Sequence, residues 1–143
     1  MLNKMLTWSA AIILFPTFLA GQQPQPPGPD PVAENLFPPE LVMAHQKAID
    51  LSDAQKTYIR GELLKAQTRF TELQWQLQDA MEALVSLLKQ SPADESQVMS
   101  QLDKVLTSER EIKRTQITLL VRIKNKLTPD QQAHLQRLRA EPK

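Results

Sequence analysis

From Ile59 to Leu87 the apolar residues Ile59, Leu63, Ala66, Phe70, Leu73, Leu77, Ala80, Leu84 and Leu87 step by alternating fours and threes. That step lays one apolar seam along an α-helix; a strand, whose side chains alternate every second residue, cannot present it. The seam predicts a helix from Asp53 to about Gln90. Ser91-Pro92-Ala93-Asp94 then stops it, because proline disfavours helical backbone at the residue before it. Beyond the break, Val98, Leu102, Val105, Glu109, Ile112, Gln116, Leu119 and Ile123 repeat the spacing and predict a second long helix from about Asp94 to Lys126. Two long helices joined by a short turn pack antiparallel, each about 50 Å long at about 1.5 Å per residue. Glu109 and Gln116 are polar members of this second seam. There they fix register or partner choice at a cost in stability, unless the seam drifts and leaves both in solvent.

A short helix precedes the hairpin, from Glu40 to about Ile49, with Leu41, Ala44 and Ala48 on one side. Another follows it. Two copies of one pattern mark where helices begin: Leu51-Ser52-Asp53-Ala54-Gln55, and Leu127-Thr128-Pro129-Asp130-Gln131. Ser52 and Thr128 suit N-cap positions, where a hydroxyl accepts a bond from the third helical N–H, and Gln55 and Gln131 sit where an amide reaches back to the cap. Pro129 fits the first helical position. A hydrophobic staple is not met, because Lys56 and Gln132 occupy the positions that would pair with Leu51 and Leu127, so the two leucines must pack elsewhere.

The two boxes, with the lead-in Ile123-Lys124-Asn125-Lys126, resemble the Spy/CpxP family of small periplasmic proteins, which carries two LTxxQ motifs and whose wider relatives include ZraP and CnrX. The resemblance covers roughly residues 37 to 139. It implies a dimeric, cradle-shaped all-α protein that binds unfolding clients without nucleotide, and in the wider group it implies metal sensing.

Residues 1–21 read as an export signal, with Lys4 as its positive charge, an apolar stretch from Met5 to Ala20, and Ala20-Gly21 as a small-residue exit. An uncleaved N-terminal anchor is the alternative, since Phe18 or Leu19 stands where a cleavage site prefers a small residue. Export places the protein in the periplasm. Residues 22–39 contain seven prolines and predict an extended, solvated linker. The helical domain then runs over 40–140. There is no cysteine, so neither a disulfide nor lipid attachment to cysteine is available.

A hairpin of this length buries little core per residue and predicts a homodimer. Leu64, Trp75 and Val85 step along a stripe away from the seam and are candidate contacts for a second copy or for a client; the competing expectation is that the end helices cover them. Charge is sorted along the third helix. It begins with Asp94 and Glu95, ends with Lys113, Arg114, Arg122, Lys124 and Lys126, and holds no acid between Glu111 and Asp130. That order complements the helix macrodipole. It also sets Arg114, Arg122 and Lys124 beside Leu119 and Leu120, an apolar surface with a cationic rim suited to unfolded acidic polypeptide or to a membrane sensor protein.

The formal charge of +1 falls to zero on loss of Lys4, which argues against a nucleic-acid partner. With no cysteine nucleophile, only three glycines and no recognisable order of histidine, serine and carboxylate, the chain reads as a binding protein without cofactor, not as an enzyme. A divalent metal is the remaining cofactor candidate. His45 and Glu62 are its weak donors, since Leu41 and Ile49, one turn from His45, depart from the paired histidines of the CnrX-like pattern.

Overall fold

A computed structural model describes residues 30–140 of the chain, and every described element is a helix: α1 (Pro31–Glu34), α2 (Pro39–Ala44), α3 (Asp53–Leu88), α4 (Glu95–Lys126) and α5 (Pro129–Ala140). The export segment and the first part of the proline-rich segment lie outside the described residues. Helices α3 and α4 are the two arms of the predicted hairpin, packed along their length. Every α3 seam residue is buried or half-buried, so the sequence periodicity translates directly into the face that meets α4. Asp94 caps α4, its side chain accepting from the Gln97 N–H at 3.0 Å.

The α4 seam differs from its expected course. Glu109 and Gln116 are exposed, and the packed line instead runs through Gln101, Val105, Ser108, Ile112, Thr115, Leu119 and Ile123. A straight helix turns about 100° per residue, so a strict heptad drifts away from its partner, and the contact line moves by one residue to follow it. Two of the polar groups brought inward, Gln101 and Ser108, are satisfied within the hairpin. Gln101 Nε2 donates to the Ala80 carbonyl of α3 at 2.8 Å, and Ser108 Oγ donates to its own helix at Lys104 O, 3.2 Å away.

Two apolar clusters hold the arms together, and they are unequal. The larger lies at the base, where Phe37, Val42, Ile49, Leu51, Ile59, Ala66, Leu119, Ile123, Leu127 and Leu135 are buried together. Leu51 and Leu127, the leading leucines of the two boxes, are 5% and 4% exposed there. Fully burying an aliphatic or aromatic side chain of this size contributes about 1.5–3 kcal/mol, so this cluster is the main source of stability. Toward the tip the buried set shrinks to Ala80, Leu84 and Val105, with Leu77, Val98 and Leu102 against it.

Residues 30–39, expected to extend the linker, are instead folded onto the base. Asp30 caps α1 by accepting from the Val32 N–H at 2.9 Å, and Pro31 and Pro39 each begin a helix, the one helical position where a missing N–H costs nothing. Leu36 and Phe37 are buried, and their apolar area outweighs the proline content around them. The backbone is gripped from α5 and α4. Arg139 donates to the carbonyls of Ala33, Glu34 and Leu36, Gln136 to Glu34 O at 2.8 Å, and Lys124 to Asn35 O at 2.9 Å.

Helix α2 is also shorter than expected. It ends at Ala44, and turns carry the chain to Asp50, whose φ of 48° places it in the left-handed region. There Leu51 N–H bonds to Gln46 O at 2.9 Å and Asp50 N–H to Lys47 O at 3.3 Å, the paired bonds of a Schellman stop. Aspartate is among the few side chains that accept this conformation at modest cost.

Candidate functional site

The two boxes meet. Each is a complete capping box: Ser52 Oγ accepts from Gln55 N–H and Gln55 Oε1 from Ser52 N–H, while Thr128 and Gln131 repeat the pattern at 3.2 and 2.9 Å. The remaining valences of the two glutamines face one another. Gln55 Nε2 donates to Gln131 Oε1 at 2.8 Å and Gln131 Nε2 donates back to Gln55 Oε1 at 3.1 Å. Each amide spends its second N–H on a backbone carbonyl from the other box's approach, Lys126 O at 2.8 Å for Gln55 and Ile49 O at 3.1 Å for Gln131. Every donor and acceptor site of both amides is thereby used. Capping explains the Ser/Thr-x-x-Gln spacing from sequence, but the cross-link between copies carries no signal within either one.

Above this junction Glu62, a buried carboxylate beside the α3 seam, reaches across to α4. Arg122 Nη1 approaches Glu62 Oε2 at 2.7 Å and Lys65 Nζ approaches Oε1 at 2.8 Å. The hydrogen bonds from Lys65 and Arg122 hold the Glu62 carboxyl below the ordinary glutamate value. Each of its oxygens is thereby paired with one cation. His45 stands half-buried at the C-terminus of α2. Among the described residues no three histidine, aspartate or glutamate side chains converge, so the donors present do not fit a heavy-metal cation within one copy.

Of the residues singled out on the third predicted helix, Leu119 belongs to the base core and is not a surface contact, and Leu120 is half-buried. Arg122 and Lys124 are engaged with Glu62 and Asn35. The reason is that Leu119 lies on the α4 face that packs against α3, a position the periodicity of the helix already gave it. Arg114 remains outward, with 73% of its side chain exposed. It shares a hollow of about 450 Å³ with Arg110, Lys113, Ile117 and Thr118, so the cation-rimmed apolar spot centres on Ile117.

On the opposite side of α3 from the seam, Leu64 and Trp75 are 66% and 68% exposed, and Val85 is 43% exposed. Neither end helix covers them. Met81, Leu88, Met99 and Leu106 add exposed apolar area along the arms. Between the arms, a cleft of about 300 Å³ opens beside Glu62, lined by side chains of both helices.

A sequence profile of the heavy-metal resistance family matches residues 9–134, which take in the whole of the hairpin, most of the segment before it and part of α5. The chain belongs to the heavy-metal resistance family. That family takes in the Spy/CpxP- and ZraP-like proteins, in agreement with the resemblance carried by the two boxes. The family is one of resistance, sensor and chaperone-like proteins. No curated protein and no solved structure matches the chain. Among the described residues of this family member, no helix is long and apolar enough to cross a membrane.

Proposed function

We propose that the protein works in the periplasm as an ATP-independent chaperone or envelope-stress adaptor, and that two copies pair to do so. The observation that carries this reading is Trp75, two-thirds exposed at mid-arm with Leu64 on the same side. Large apolar side chains grouped in this way on a small protein mark a surface that binds other polypeptide. The acid-free hollow at Arg110, Lys113 and Arg114 supports it, by offering electrostatic attraction beside apolar Ile117. Capture by charge and holding by apolar area are separable steps, and neither requires nucleotide.

The test is light scattering from a thermally unfolding client. The protein at several-fold molar excess should suppress aggregation, and Trp75→Ala should shorten the lifetime of the complex, because truncating a large aromatic anchor acts mainly on dissociation. Scattering that is unchanged by the protein, for acidic and basic clients alike, would overturn the chaperone reading and leave the adaptor role. A heavy-metal sensor or resistance role is the second reading, favoured by the family to which the chain belongs. A cation site in it would draw donors such as His45 from two copies.

A further inference from the structure

The cleft beside Glu62 is rich in donors and poor in acceptors. Lys65 and Arg69 enter it from α3, and Arg114 and Arg122 from α4, against two carboxylates, Glu62 and Glu111. The Glu62 oxygens are each taken by one cation, and Lys65 and Arg122 each spend a single N–H on them. Arg69 spends one on Glu72 at 3.1 Å, outside the cleft lining. Arg114 spends none: among the described residues it makes no hydrogen bond, and the Glu111 carboxylate lies 3.8 Å from its Nε.

Two hydroxyls complete the lining. Thr68, Thr71 and Thr107 donate back to the carbonyl four residues earlier on their own helices. Thr115 and Thr118, one turn apart on the cleft side of α4, make no such bond and keep their hydroxyls free for another acceptor. A guanidinium with its fork unspent, further N–H donors and two free hydroxyls around one space call for a ligand that only accepts and carries more than one negative charge.

We propose that this cleft binds a doubly charged tetrahedral oxyanion, held chiefly by Arg114 and Arg69 with Lys65, Thr115 and Thr118 completing its shell. The chemistry is shared by phosphate and sulfate and by the oxyanions in which some heavy elements occur, arsenate and chromate. A volume of about 300 Å³ admits such an ion with part of its hydration, at roughly 30 Å³ per water. The site also gives a member of a heavy-metal resistance family a form of metal that its donors fit, since they do not converge on a cation. The site does not require a client, but it shares Arg114 and Thr118 with the hollow around Ile117.

The experiment titrates phosphate, sulfate, arsenate and chromate, each alone and at constant ionic strength, into the purified protein at mildly alkaline pH. The Arg114 Nε–Hε and the Thr115 and Thr118 amide resonances are followed by NMR. Nitrate is the singly charged control. The expected result is a saturable shift for the dianions and none for nitrate. Arg114→Gln and Arg69→Gln should each weaken binding about tenfold, the effect of losing one charge-assisted contact, while Arg60→Gln, at an exposed arginine of α3 outside the cleft lining, should leave it unchanged. Saturation by all four dianions supports a general oxyanion site, and saturation by arsenate or chromate alone supports a metal-oxyanion site. Shifts that never saturate, or that nitrate reproduces, or that persist undiminished in Arg114→Gln, overturn the proposal. Because the Arg114 side chain is exposed and supports no core contact, its loss leaves the fold available for the measurement.

Discussion

Gln55 and Gln131 illustrate how much one residue type can do when its amide is filled on every side. Each closes its own capping box, bonds its counterpart and ties down a backbone carbonyl of the other box's approach. Removing one amide leaves the other with an unmet donor and acceptor, at about 1–3 kcal/mol for a partly buried polar group. Gln55→Ala and Gln131→Ala should each lower stability on that scale. The double variant should cost distinctly less than their sum, because the second truncation removes a group already orphaned by the first. Urea unfolding measures all three, and strict additivity would show that the two amides act separately. Gln55→Glu should be as damaging as Gln55→Ala, since a carboxylate cannot donate to Lys126 O or to Gln131. The caps were legible from spacing within each box. The bond between boxes was not, because it depends on where the hairpin returns the chain.

At the scale of elements, the α3 seam was legible residue by residue, and the α4 seam only in part. Polar Gln101, Ser108 and Thr115 hold positions that an apolar periodicity passes over, while Glu109 and Gln116, which continue the strict count, face water. Glu62 was missed as a bridging group for a similar reason. It is a carboxylate among seam leucines, and its partner Arg122 is 60 residues away. The bridge makes the joint between α3 and α4 sensitive to acid. The unfolded chain titrates Glu62 at the ordinary value of 4.5, and the folded chain titrates it below that. Folding therefore excludes a proton, so the contribution is complete above about pH 4.5 and drains away as pH falls through the folded value. Glu62→Gln should consequently flatten the acid limb of a melting-temperature profile while leaving the neutral-to-alkaline limb parallel to the parent. An unchanged acid limb would place the acid sensitivity elsewhere. The proline-rich approach to the hairpin was misjudged by composition alone, since Leu36 and Phe37 bring enough apolar area to fold it against the base.

For the molecule as a whole, all-α hairpin architecture followed from the two seams and the break at Pro92, whereas the distribution of the core could not be read from them. Residues from α2, α3, α4, α5 and the loop before α2 converge at the base, but the arms beyond rest on a few small and mid-sized side chains. Apolar area left open on the arms is what a second copy would cover in the proposed pairing. The melting temperature should then rise with protein concentration over a hundredfold range, and sedimentation should report a two-copy mass at micromolar concentration. A monomer whose melt is unaffected by dilution would exclude the pairing. The unequal core has a mechanical consequence. In a chain without cysteine, the mutual amide contact of Gln55 and Gln131 closes a loop 76 residues around, as a clasp does, with the densest packing beside it. Loosening is therefore easiest in the sparsely packed stretch toward the turn, where the arms stay joined through the backbone, and it leaves the clasped base intact. The hairpin is thus closed at both ends, by the chain itself at the turn between α3 and α4 and by the amide clasp at the base, so the arms can bow apart between two fixed points and fall back into the same register.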